Sequence, residues 1–352
     1  MRSVAPRAPK KILIVLHGAI GDVTRALPLA MRIKRAWPSV ELCWAVEPLS
    51  RGLVEGHPAI DRVFVFDRPN GFAAYRRFVG ELMRERFDLV LDLQRHFKSG
   101  ITAFLTRAPR RLGFHPRSAK EFNWVFSTEY IAAVPNFSPK IEHYQLFGDA
   151  LGLAPLEPLE FGLKPTASDL SRMEQLIAES AGEESSLREH RLGLIVGSSW
   201  RSRFWSVEHY VKLIERARSS LGLVPILIGS KGEIEFGEQV MAALPKGAAI
   251  NLIGKTALAD LVPLLASLRV AVGSDSGPMH IAAAVGTPVI SLWGSTSPKR
   301  SAPYGSEQFV LQSAIGCSPC YRRECPGLGT LCMQAIPSQA VVAQLESVLG
   351  AP

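Results

Sequence analysis

Hydrophobic runs long enough to cross a membrane are missing from this chain of 352 residues. The most apolar stretch, around Ile281 to Trp293, falls short of the roughly 18 residues a membrane-crossing helix needs and is interrupted by Gly286 and Pro288. A secretory leader is not expected either. Arg2, Arg7, Lys10 and Lys11 precede Ile12 to Leu16, but that apolar core is too short, and His17 and Asp22 follow at once. The expectation is a loose tail over residues 1–10 and then the first strand of a cytosolic protein. The three-glycine dinucleotide fingerprint is absent, since Gly18-x-x-Gly21 lacks its spacing, which argues against a nicotinamide dehydrogenase. Helix-turn-helix, zinc-finger and RNA-binding signatures are absent too, so no nucleic-acid partner is expected. Acidic residues are missing between Leu93 and Lys120, where Arg95, Lys98, Arg107, Arg110, Arg111, Arg117 and Lys120 fall. Such a cluster suits an anionic membrane surface or an acidic substrate, or is simply a solvated face. Cysteine is sparse: Cys43 alone, and Cys317, Cys320, Cys325 and Cys332 in one stretch. That spacing permits a zinc knuckle, one or two disulfides, or free thiols in a reducing compartment, with a bound metal not the favoured reading.

What is present reads as α/β. Hydrophobic residues at 47% and charged ones at 20% describe a soluble globular protein, and the length suits two domains of roughly 150 to 200 residues. Lys11–Leu16, Glu41–Val46, Val63–Phe66 and Leu89–Leu93 are short apolar runs of strand type. After the first, Val23, Ala26, Leu27, Ala30, Ile33 and Trp37 recur at helical spacing until Pro38-Ser39. This alternation predicts a parallel sheet covered on both faces. Ala154 to Pro165, with three prolines, is the expected linker, giving domains 1–160 and 161–352. Beyond it a helix from about Ser168 to Glu179, a strand Leu192–Val196, a helix Ser206–Ser219 and a strand Val224–Ile228 restart the pattern, and Ser338–Leu349 reads as a final helix. The two halves share no sequence repeat. Two Rossmann-like, doubly wound domains facing a central cleft are the expected architecture.

Two stretches carry candidate chemistry. Between the apolar runs Leu268–Val272 and Pro288–Trp293 lies Gly273-Ser-Asp-Ser-Gly-Pro, followed by a small-residue helix at Ile281–Val285. A strand, a Gly-rich turn and a helix N-terminus together suit a diphosphate. Asp275 and Ser276 either grip such a ligand or merely cap the helix. Asp22 falls at the start of a helix on the carboxyl edge of strand one, where open α/β sheets bind ligands. The helix dipole favours its ionised form, so it is either a proton acceptor or a simple N-terminal helix residue.

Five blocks occur in a telling order: Gly18-Ala-Ile-Gly-Asp22 with Pro28, Asp92-Leu-Gln-Arg-His-Phe-Lys98, Arg203-Phe-Trp205-Ser-Val-Glu-His-Tyr210, Gly273 to His280, and Trp293-Gly-Ser-Thr-Ser-Pro298. In this order they resemble the lipopolysaccharide heptosyltransferases of glycosyltransferase family nine, from about Lys11 to the C-terminus. The resemblance implies a glycosyltransferase-B fold. It also implies metal-independent, inverting transfer of heptose from ADP-heptose to the inner core of lipid A, at the cytoplasmic face of the inner membrane. The lack of any Asp-x-Asp triplet agrees with catalysis without a metal cofactor. By this resemblance Asp22 is the general base, Arg203 stands where relatives often carry Lys and neutralises the leaving ADP, and Ser198 and Ser199 contact phosphate. Gly21, Asp275, Ser276, Gly277 and His280 line the donor, Glu233 matches a ribose-binding acid, and Thr256 offers a backbone contact to adenine. Gln94, Lys98 and Arg111 meet the acceptor's Kdo carboxylates and lipid A phosphates, and the basic cluster the membrane surface carrying them. A relative using another nucleotide sugar, or a nucleotide-sugar-binding protein without transfer, would share these features.

Overall fold

Apolar runs with no polar alternation form the centres of two separate parallel sheets. The computed structural model describes residues 8–135, 137–181, 190–327 and 329–350, so the first seven residues of the expected tail lie outside the described residues. The chain divides into two units, Met1–Gly162 and Leu163–Pro352. The first contains β1 (Lys11–Val15), α1 (Ile20–Ala36), β2 (Glu41–Val46), α2 (Arg51–Val54), β3 (Arg62–Val65), α3 (Gly71–Arg84), β4 (Leu89–Asp92), α4 (Phe97–Leu105), β5 (Arg110–Gly113), β6 (Glu129–Tyr130) and α5 (Lys140–Ala150). Its sheet runs β3-β2-β1-β4-β5-β6. Ile12, Leu13 and Ile14 are wholly buried because central β1 is covered on both faces, which is why its sequence shows no period of two.

The second unit contains α6 (Ala167–Ala181), β7 (Arg191–Ile195), α7 (Val207–Leu221), β8 (Val224–Ile228), α8 (Ile234–Ala242), β9 (Ile250–Asn251), α9 (Leu258–Ala266), β10 (Val270–Ser274), α10 (Gly277–Ala284), β11 (Val289–Trp293), α11 (Pro298–Ser301), β12 (Val310–Gln312), α12 (Leu331–Gln334) and α13 (Ser338–Gly350). Helix α7 begins where Ser206 Oγ accepts from His209 N–H and ends where Gly222 takes φ 62°. Its buried stripe of Tyr210, Leu213, Ile214 and Ala217 shares a core with Val341, Leu345 and Val348 of α13. Among the described residues no helix is long and apolar enough to cross a membrane.

The second sheet runs β12-β11-β10-β7-β8-β9. Counted within its own unit, that is the strand order of the first sheet, although no sequence repeat announces it. In each, the chain leaves the first strand toward one side and later returns on the other. The reversal opens a crevice at the carboxyl ends of β1 and β4, and again at those of β7 and β10. Gly273 allows the second pair its closeness, since a Cβ there would lie 2.8 Å from the Ile195 carbonyl oxygen.

Candidate active site

In the first unit, the turn from Leu16 to Ala19 delivers Asp22 to the first turn of α1. Its Oδ1 accepts from Arg25 Nη2 at 2.6 Å and from Lys140 Nζ at 2.8 Å. Arg25 lies one turn further along α1, and Lys140 opens α5, which packs along α1. Burial alone would raise the Asp22 pKa, but the charges and hydrogen bonds of Lys140 and Arg25 win and hold it well below the usual carboxylate range. His17 is fully buried, edge-on to Phe66 at 5.2 Å and Phe78 at 6.0 Å. Among the described residues neither of its ring nitrogens has a hydrogen-bond partner. Burial, with Lys98 and Arg68 nearby, lowers its pKa to about 3, so the imidazole is neutral.

The backbone joins this turn to the end of β4. His17 N–H donates to Gln94 Oε1 at 3.0 Å. Lys98 Nζ lies 3.6 Å from Glu47 Oε1, which follows β2. Asp22, His17, Gln94, Lys98 and Glu47 thus gather at one carboxyl edge, with Gly21 buried in α1 beside Asp22. Arg111 stands apart. It pairs with Val90, two residues short of the end of β4, and its guanidinium donates to the carbonyls of Phe126 at 2.7 Å and Ala108 at 2.6 Å.

In the second unit the equivalent edge is a connected network. Ser198 Oγ, after β7, donates to the Asp275 carbonyl at 3.0 Å, and Arg203 Nη1 donates to the same oxygen at 2.9 Å. Asp275 Oδ2 accepts from Thr296 Oγ1 at 2.9 Å and lies 3.3 Å from Arg203 Nη2. Burial lowers the Arg203 pKa, Asp275 opposes the shift, and a guanidinium stays cationic regardless. The Arg203 guanidinium sits 4.0 Å from the centroid of the Trp200 ring. Asp275 and Ser276 were open between gripping a ligand and capping a helix. The Ser276 side chain makes no cap bond, and its Oγ is buried without a partner among the described residues. The N–H groups at the start of α10, from Gly277, are therefore not covered by it.

The remaining donor-side residues follow the strand order. Glu233, after β8, lies against Gly197, where a Cβ would come within 2.6 Å of its carboxyl carbon, and its Oε2 accepts from Ser230 N–H at 2.7 Å. Thr256 is half-buried in the turn after β9, and Gly254 N–H of that turn reaches the Gly229 carbonyl at 3.0 Å. From β10 through β7 and β8 to β9 these turns span three strand spacings, roughly 14 Å, which suits an extended nucleoside diphosphate. Ser199 is exposed beside them and His280 is buried in α10. A pocket lined by Arg269, Thr287, Pro288 and Gly305 opens at the amino ends of β10 and β11, the opposite edge.

The cysteine-rich stretch braces this network. Ser318 Oγ donates to the Gly294 carbonyl at 2.7 Å, Tyr321 N–H to Ser295 at 2.7 Å, and Ser202, beside Arg203, donates its N–H to Arg323 at 3.1 Å. The cysteines are free thiols, Cys317 and Cys320 exposed, Cys325 half-buried and Cys332 buried. Among the described residues no three His, Cys, Asp or Glu side chains are grouped to hold a metal ion. Sequence reasoning missed Arg25, Lys140, His17, Trp200 and Thr296. Arg25 is visible as a cation three residues after Asp22, and Thr296 falls within Trp293-Gly-Ser-Thr-Ser-Pro298; Lys140, 118 positions from Asp22, leaves no local signal.

Two Rossmann-like α/β units, each with its polar residues at the carboxyl edge where strand order reverses, define the glycosyltransferase-B fold class. Residues 75–330 match glycosyltransferase family 9 (heptosyltransferase), and the chain belongs to that family. It is 28% identical over 308 residues to the lipopolysaccharide core heptosyltransferase OpsX of Haemophilus influenzae, covering 86% of this chain and 84% of that protein. It is also 28% identical to lipopolysaccharide heptosyltransferase 1 of Pseudomonas aeruginosa, covering 97% and 99%. Among solved structures, Escherichia coli heptosyltransferase WaaC with ADP shares the fold at a TM-score of 0.74 and 20% identity, covering 96% of this chain and 99% of that one.

Proposed function

We propose that this chain is an inverting, metal-independent glycosyltransferase that moves heptose from ADP-heptose to the inner core of lipopolysaccharide, onto Kdo or heptose, at the cytoplasmic face of the inner membrane. One observation carries the reading: both switch-point edges hold the family's motif residues, with an ion-paired carboxylate on one and an Arg-linked, uncapped helix end on the other. The names of the relatives supply the sugar and the acceptor class.

In this mechanism the acceptor hydroxyl oxygen bonds to the anomeric carbon as the bond from that carbon to the diphosphate oxygen breaks. ADP departs with the electron pair, and the hydroxyl proton passes to Asp22. Lys140 and Arg25 keep Asp22 ionised and also weaken it as a base, so the proton moves late, once bond formation has made it acidic. Arg203 and the N–H groups from Gly277 stabilise the charge growing on ADP, the task a divalent ion performs elsewhere. Ser198, Ser199 and Ser276 contact the diphosphate, and Asp275 the sugar hydroxyls from Oδ1. Glu233 takes the ribose, the backbone at Thr256 the adenine, and Gly21 and His280 complete the donor surroundings. Gln94 and Lys98 orient the acceptor's acidic groups, with Arg111 contributing from further back.

The test is incubation with ADP-heptose and defined Kdo- and heptose-terminated acceptors, read by mass spectrometry. Wild type is expected to add one heptose mass. Asp22→Asn is expected to lose about 100- to 10,000-fold in kcat, the usual worth of a general base, with ADP affinity held within a few fold. Normal turnover by the variant would remove Asp22 from the role, and donor binding with no transfer to any acceptor would favour a sensor.

A further inference from the structure

The first unit carries an unusual concentration of exposed rings. Among the described residues Phe97 is 48% exposed, Phe104 52%, Phe122 74% and Val125 52%, with Trp124 exposed beside them. They form one face. Helix α4 packs on the helical turn Asn123–Phe126, whose Phe126 ring lies 5.1 Å from Phe97 and 6.0 Å from Phe104. Gly100 permits this approach, since a Cβ there would lie 2.6 Å from the Phe126 ring. Asn123 Nδ2 donates to Asp92 at 2.7 Å and to the His96 carbonyl at 2.8 Å, and Arg111 grips the Phe126 carbonyl. The turn is therefore held from inside while Phe122, Trp124 and Val125 project.

Leaving such rings in water opposes the hydrophobic effect, and a clustered patch of this kind marks a binding surface. Its charge indicates what covers it. Arg107 follows α4, and Arg117 and Lys120 precede the turn, all three exposed, and the Arg111 guanidinium lies 5.6 Å from the Phe104 ring centroid. Of the neighbouring acids, Glu129 pairs with Arg110, and Glu121 accepts from the Phe97 N–H at 3.1 Å and lies 3.1 Å from His96 Nδ1. Protein interfaces deplete Lys from their centres, whereas a lipid headgroup layer accepts rings and cations side by side. We propose that this face docks on a bilayer containing anionic phospholipid, with the Phe122 and Val125 side chains entering the boundary between headgroups and acyl chains and the cations meeting phosphates. The inference deepens the functional reading, which needs a lipid-anchored acceptor, but its evidence is separate.

Co-sedimentation of the full chain with phosphatidylglycerol-containing vesicles and with pure phosphatidylcholine vesicles tests it. Wild type is expected on the anionic vesicles and to be released by salt. The double variant Phe122→Ser/Val125→Ser is expected to bind about tenfold more weakly, from loss of buried apolar area. Arg117→Glu/Lys120→Glu is expected to lose the preference for anionic lipid. Phe72→Ser, an exposed ring elsewhere, serves as the control and keeps wild-type binding. All three variants should retain wild-type transfer to an acyl-free soluble acceptor. Binding that ignores the Phe122 and Val125 substitutions, no binding at all, or a dimer that the same substitutions dissolve would each overturn the proposal. Vesicle binding without heptose transfer would leave the patch standing and sink the enzymatic reading instead.

Discussion

Asp22 sits between two cations, and that decides how it answers pH. Its folded pKa is depressed, so the pairing contributes stability that is present above the unfolded value of about 3.9 and lost as pH falls through the lower folded value. Through the neutral range it is ionised, and wild-type kcat/KM should show no acid limb from this group above about pH 5. Removing Lys140 changes the balance, because burial, which raises the pKa, then meets Arg25 and the Tyr144 hydroxyl without the stronger of the two cations. Lys140→Met is expected to bring an acid limb up into the assayed range while ADP affinity stays unchanged. A pH–rate profile that is identical in wild type and variant would show that Lys140 does not set the base. The two cations also show what sequence alone conveys at this scale. Arg25 is recoverable because a helix repeats every three to four residues. Lys140 reaches Asp22 only because α5 folds back on α1, a tertiary event without a local pattern.

At the scale of elements, legibility followed length and burial. β2, apolar after Glu41, and β8 have the bounds that their sequence predicts. β6 and β9, at two residues each, are too short for any periodicity to register. Helix α10 begins at Gly277, four residues before the apolar run that signalled it. Gly277-Pro278 reads as a turn, yet Pro fits a helix's first turn, where its missing N–H has no partner to lose. The junction of β7 and β10 is where an element-level change should reach the chemistry. A methyl at Gly273 would press within 2.9 Å of both Ile195 Cβ and Met279 Sδ, besides the Ile195 carbonyl. Gly273→Ala is therefore expected to cost about 1–3 kcal/mol of stability by overpacking. It should also displace the Asp275 turn, weakening ADP binding and lowering kcat. Calorimetry alongside ADP titration would check this, and a lowered Tm with unchanged affinity would mean the turn moves independently of its strand.

At the scale of the whole chain, the two sheets share one strand order while their sequences share no visible repeat. Topology depends on where strands and helices alternate, and many different apolar residues satisfy that alternation. Both edges pair a carboxylate with a cation, Asp22 with Arg25 and Lys140 in the first and Asp275 with Arg203 in the second, and neither α1 nor α10 begins with a side-chain cap. The proposed function puts the nucleoside diphosphate at the second, where Arg203 and the N–H groups from Gly277 would meet it. ADP at 100 times its Kd should stabilise the native protein by about 2.7 kcal/mol through binding alone. Hydrogen exchange should slow chiefly at the turns around Ser198, Glu233, Thr256 and Gly277, with little change around His17 to Asp22 and Gln94 to Lys98. Protection centred on the first unit instead would reverse the assignment of donor and acceptor sides, and with it the roles given to Asp22 and Arg203.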